Sequence, residues 1–174
     1  MADHLPEELL ADGKPETKLA GIDLTHDNLD RVVQMYGKPK REVKVPNNPS
    51  WTGYVWELPE VKIELGVISG PSGKHIRDVY IEGTAAGKSA STGRGLKLGD
   101  HISAIKRVYG AKLQIQKGNP SEQRREFTGI GAVSQRIKLQ WASQEFTLTA
   151  GLNDAGRIIA LWLILPECYP DPCE

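Results

Sequence analysis

The stretch Gly83-Thr84-Ala85-Ala86-Gly87-Lys88-Ser89 carries the residue types of a phosphate-binding loop: glycines that let backbone N–H groups wrap a phosphate, then a lysine and a serine for its oxygens and cation. The spacing fails. Such a loop needs four residues between its glycines, and only Thr84, Ala85 and Ala86 intervene. The residues that follow, Ser91-Thr92-Gly93-Arg94-Gly95, lack the apolar period of a helix whose N-terminus would face the phosphate. The segment 83–95 therefore reads as a joining piece, and neither a nucleotide nor another cofactor is expected.

The remaining reactive side chains are dispersed. His4, His26, His75 and His101 lie among polar neighbours without metal-ligand or triad spacing, so each is expected at the solvated surface. Glu57, Glu60 and Glu64 would meet only if adjacent strands brought them together. No catalytic residue and no metal ligand is assigned. Aromatics are scarce at 6%, yet Trp51, Tyr54 and Trp56 crowd into one strand, whereas Trp141 and Trp162 read as core filler. Alternation puts Thr52, Tyr54, Trp56 and Leu58 on one side and Trp51, Val55 and Glu57 on the other. With Arg124, Arg125, Phe127 and Ile130 from a later segment, Trp51, Tyr54 and Trp56 make the candidate interaction surface.

Composition bounds the class. Lys+Arg and Asp+Glu both total 22, so no net field draws nucleic acid or an anionic membrane, although Arg124 and Arg125 could form a local basic patch. No apolar run approaches the roughly 20 residues of a membrane helix. The N-terminal sequence lacks a basic-then-apolar secretory signal, which leaves two locations. The protein is cytoplasmic, or it is periplasmic or secreted with Met1 in place of a removed signal. Cys168 and Cys173 in the terminal CYPDPC favour the second as a disulfide.

The elements that must position these side chains occur twice. Gly21-Ile22-Asp23-Leu24 leads into 27–36 and Gly37, as Gly95-Leu96-Lys97-Leu98 leads into 100–109 and Gly110. Leu29, Val32, Val33 and Tyr36, then Ile102, Ile105 and Tyr109, give each segment one apolar helical face, with Thr25 or Asp27 and Asp100 as capping residues. Gly37 and Gly110 supply left-handed ends. Short β-prone runs at 41–45 and 112–116 follow, then Asn-Pro-Ser turns, then strand pairs at 61–68 with 75–82 and at 145–150 with 157–165. The second half holds about a dozen more residues, centred on 127–134. The expected fold is α+β: two tandem repeats, each a short helix packed on an antiparallel β-meander. The expected divisions are an extension 1–18, repeats 19–82 and 96–165, a linker 83–95 and a Pro/Cys tail 166–174. Residues 157–165, RIIALWLIL, are apolar on both faces, which predicts cover on both sides. The inserted segment, the other repeat, the N-terminal Leu5, Leu9 and Leu10, or a second chain could supply it.

Leu96-Lys97-Leu98-Gly99-Asp100 with Ile102, Ile105 and Val108-Tyr109-Gly110, and the earlier Leu24 to Gly37-Lys38-Pro39, resemble the helix signature of the β-lactamase-inhibitory-protein superfamily, which includes small outer-membrane assembly lipoproteins. The resemblance implies a short helix on an antiparallel sheet in each repeat, with two sheets forming a concave protein-binding surface. The chain lacks the inhibitors' cysteines within each repeat and the lipoproteins' lipid-bearing cysteine, so neither inhibition nor anchoring carries over. A non-enzymatic protein- or peptide-binding module is expected, with a small-ligand carrier or a hydrolase as alternatives and homodimerisation open.

Intact mass with and without reduction tests the cysteines. A two-hydrogen difference in native material is expected, and removing so short a loop should cost no more than ~1 to 3 kcal/mol.

Overall fold

The structure, a computed structural model, describes residues 7–11, 15–44, 46–71, 73–84, 88–110, 112–115, 135–141 and 144–165. Strand β1 (Glu7–Ala11) is followed by the small hairpin of β2 (Lys18–Leu19) and β3 (Ile22–Asp23), then by helix α1 (Leu29–Tyr36). Strands β4 (Arg41–Lys44), β5 (Trp51–Glu57), β6 (Val61–Gly70) and β7 (Gly73–Gly83) succeed it. A single 3-10 turn at Lys88–Ala90 leads to helix α2 (Ser103–Tyr109) and to β8 (Lys112–Ile115), β9 (Gln135–Trp141), β10 (Gln144–Leu152) and β11 (Ile158–Ile164). Among the described residues the architecture is a mostly antiparallel sheet with two short helices.

Helix α1 starts at Asn28, whose Oδ1 accepts from the Arg31 amide at 2.9 Å. Thr25 and Asp27 are not the caps, because both are held by the preceding turn: Asp27 Oδ2 accepts from the Asp23 amide at 2.8 Å, and the Thr25 hydroxyl donates to Asp23 Oδ1 at 2.6 Å. Asp100 likewise accepts from the Lys97 amide, and α2 begins without a side-chain cap. Gly110 is left-handed as expected; Gly37 has positive φ but an extended ψ.

Among the described residues, nine strands make one sheet in the order β4-β5-β6-β7-β11-β10-β9-β1-β8. Every neighbour pair is antiparallel except β1 with β9. The sheet is continuous because β7 and β11 pair edge to edge, Leu161 opposite Ile81 and Leu163 opposite Val79. One sheet therefore replaces the two that the resemblance implies. Segments 19–82 and 96–165 also share one core, in which Ile63, Leu65, Val79 and Ile81 join Ile137, Leu139, Leu148, Leu161 and Leu163. Val32 of α1 and Ala104, Ile105 and Tyr109 of α2 belong to it, so both helices cover the same face.

Two expected divisions change. Residues 7–11 are a sheet strand between β9 and β8 rather than part of an extension, since their backbone pairs on both sides. Residues 88–95 are not a free linker: Ala90 is fully buried, Thr92 is bridged to Leu19, and the Thr92 hydroxyl accepts from the Leu96 amide at 3.1 Å. Residues 85–87 lie outside the described residues.

A buried polar knot holds this region. Glu16 is 3% exposed, and its carboxylate accepts from the Lys18 amide at 3.1 Å, the Arg94 amide at 3.2 Å and the Tyr109 hydroxyl at 2.8 Å. Tyr109 also shares a 2.8 Å hydrogen bond with the Thr92 hydroxyl, meets Trp141 edge-on at 5.7 Å and lies under the Arg94 guanidinium. Burial, then the adjacent Glu16 charge, drives the Tyr109 pKa up, so the phenol stays a donor. Three chain segments thus meet on one carboxylate.

Removing a donor from a buried carboxylate leaves its charge under-solvated. Tyr109→Phe should lower unfolding free energy by roughly 1–3 kcal/mol in urea denaturation at unchanged slope, and Glu16→Ala, which takes the acceptor from two backbone amides and leaves the Tyr109 hydroxyl only Thr92, by more.

Candidate functional site

The sheet's other face carries no helix among the described residues. Alternation sends Lys62 and Glu64 of β6, Tyr80 and Glu82 of β7, and Ala160, Trp162 and Ile164 of β11 to that face, opposite the buried Ile63, Leu65, Ile81, Leu161 and Leu163. A cleft of about 860 Å³ opens there, lined by Val43, Lys44, Pro46, Asn47, Asn48, Trp51, Glu64, Ile68, Arg77, Asp78, Tyr80, Trp162 and Ile164.

A β-bulge shapes its floor. Gly66 opposes Asp78 but Val67 opposes Ile76, so Arg77 is the extra residue. Simple alternation places Arg77 and Asp78 on opposite faces; with the bulge both line the cleft, and Ile76 returns to the core at 1% exposure. A similar shift at Gly151 and Leu152 leaves Ile159 unpaired and turns Ile158 into the core rather than beside Trp162 and Ile164. The expected face of Ile158 is corrected accordingly, while the inserted segment 127–134 expected to cover the other side lies outside the described residues. Leu161, Leu163 and Leu165 are sealed under the helices, whereas Trp162 and Ile164 are half-buried in the cleft.

The Asp78 carboxyl is the chemical centre. The Trp162 indole N–H donates to Oδ2 at 2.9 Å, and the Trp51 indole adds a second hydrogen-bonding contribution. Gly66 makes room for it: a Cβ there would stand 1.9 Å from Asp78 Oδ1 and 2.9 Å from Trp51 Nε1. Desolvation on the cleft floor pushes the Asp78 pKa up to about 6 against the opposing effects of the indole donors and the Arg77 charge, with Glu64 adding to the rise. Around it the charges are paired. Lys62 lies 2.9 Å from Glu64 and 3.6 Å from Glu82, and these carboxylates hold its pKa above the ordinary lysine value although burial acts the other way. Tyr80 donates to Glu82 Oε2 at 2.8 Å, with burial, then Glu82, raising its pKa. Lys44 sits 2.7 Å from Glu42 on the rim.

Of the residues expected at an interaction surface, Trp51 lines the cleft and Tyr54 is half-buried against the core. Trp56 is not on the surface: it is 2% exposed and donates to the Gly37 carbonyl at 2.9 Å. Arg124, Arg125, Phe127, Ile130, Cys168 and Cys173 lie outside the described residues, as does His4. Trp141 is core, as its sequence context suggests; Trp162 is cleft. Glu57 pairs with Lys40 and Glu64 with Lys62, so these acids do not form a couple. His26 and His101 are exposed, but His75 is half-buried with Nε2 unpartnered among the described residues. No group of three His, Cys, Asp or Glu side chains among the described residues is placed to hold a metal ion, and no described helix is long and apolar enough to cross a membrane.

Comparison with protein-family models, curated proteins and solved structures finds no match. The site rests on its own geometry.

The raised Asp78 pKa means that the folded chain binds this proton more tightly than the unfolded one between pH about 4 and 6, so stability is given up as pH rises through that window. Asp78→Asn keeps an acceptor for the indoles and removes that loss. It should exceed the wild type by roughly 1–3 kcal/mol in urea denaturation at pH 8, with the gain vanishing near pH 4.

Proposed function

We propose that this chain is a non-enzymatic binding module that holds a protein or peptide segment against the helix-free face of its sheet. The observation that carries the reading is the cleft across β5, β6, β7 and β11, where Trp51, Ile68, Trp162 and Ile164 offer apolar surface beside a desolvated carboxyl. Aromatic anchors next to a few fixed polar groups are what a recognition surface needs. The two halves are proposed to be tandem copies of one unit, supported by the shared order of helix, outer strand and three-stranded meander. The likeness of Leu96 to Gly110 and Leu24 to Pro39 to the β-lactamase-inhibitory-protein superfamily supports the same reading. An extracytoplasmic location and a Cys168–Cys173 disulfide belong to this proposal.

A small-ligand carrier is the second reading, because about 860 Å³ lies within the range of small-molecule sites. Selection from a displayed peptide library against the full chain tests the first. Enriched peptides should bind the wild type and lose roughly tenfold or more in affinity to Trp51→Ala and to Trp162→Ala, the loss of an interface anchor. Peptides that bind both variants unchanged would remove the cleft from the interface.

A further inference from the structure

Resting on that reading, we infer that the cleft takes one cationic side chain of the bound segment, a lysine or an arginine, seated on the Asp78 carboxyl beside the indoles of Trp51 and Trp162. The carboxyl is built into place rather than left on a flexible surface. A bulge aims it, a glycine gives it space, and the Trp162 N–H fixes its orientation at 2.9 Å. Indole N–H groups satisfy lone pairs but carry no charge, so they do not neutralise it. The nearby Lys62 is already engaged by Glu64 and Glu82, and Lys44 by Glu42. Arg77 reaches Asp78 through its field. A carboxylate kept on a desolvated floor at a cost to stability gains most from a guest that brings opposite charge directly onto it. Burial in the complex strengthens that pairing relative to water.

The arrangement also contains the opposite possibility, since Arg77 and Lys44 line the same cleft and would favour an acidic guest. The two guests respond oppositely to single substitutions. Neutralising Asp78 removes the attraction for a cation, while neutralising Arg77 removes a repulsion.

The test uses the full chain and blocked Gly/Ser peptides carrying one central Lys, Gln or Glu, followed by the indole N–H resonances of Trp51 and Trp162. The Lys peptide should shift both resonances saturably and the Gln peptide should bind about tenfold more weakly. Asp78→Asn should abolish that preference with the indole resonances still dispersed, and Arg77→Gln should tighten Lys binding. Affinity for the Lys peptide should fall as pH drops below about 6 in the wild type and stay flat in Asp78→Asn, which a purely structural Asp78 would not produce. Equal binding of Lys and Gln peptides, or a preference for Glu lost in Arg77→Gln, would overturn the inference and leave the peptide-binding reading standing. Shifts produced by cadaverine but by no peptide would keep the cation seat and overturn the peptide reading. No shift with any probe would overturn the cation seat.

Discussion

The pairing of β7 with β11 is the constraint on which the rest depends. It joins the strands of the two halves into one sheet, and its two faces have different tasks. On one side Val79, Ile81, Leu161 and Leu163 are fully buried beneath the helices, a contribution of about 1.5–3 kcal/mol for each large aliphatic side chain. On the other side the same register sets Trp162 against Tyr80 and Ile164 against Asp78. A slip of one residue would exchange the faces, driving Asp78 into the core and Val79 into the cleft. Core and candidate site are therefore fixed by one set of backbone hydrogen bonds.

The polar knot at Glu16 addresses a different problem. The segment leading into β2 and the piece around Thr92 to Arg94 contain little regular structure of their own, and the Lys18 and Arg94 amides would otherwise lack a partner there. One carboxylate gathers both, together with the Tyr109 hydroxyl from the end of α2. The absence of a side chain at Gly93 belongs to the same arrangement, since a Cβ there would come within 2.9 Å of Glu16 Oε1. Specific geometry here substitutes for secondary structure.

Much of the framework was legible from pattern. The helical faces of Leu29 to Tyr36 and Ile102 to Tyr109 repeat at helical spacing, and the hairpins around Gly70 and Gly156 follow turn chemistry, so their places agree with expectation to within a few residues. The site was not legible, because it depends on single-residue irregularities. Whether Arg77 is the unpaired residue of a bulge is decided by the strand opposite, at Gly66 and Val67, and alternation along one strand carries no record of it. Trp162 resembled core because its neighbours are apolar, and only the register reveals that it shares a face with Tyr80 rather than with Val79. The place of Glu7–Ala11 was hidden for a simpler reason: five residues have too few repeats to establish a period.

That strand has a consequence for the order in which the molecule can assemble. The ribosome makes residues 7–11 well before their partners, since Leu9 pairs with Leu113 on one side and Leu139 on the other. During synthesis its backbone groups must remain hydrated or find temporary partners until β8 and β9 emerge. Closing so large a loop is entropically slow, whereas the β6–β7 hairpin can zip locally long before. This side of the sheet thus closes only after β9 has been made, and the nascent chain carries β1 as an unfilled place until then.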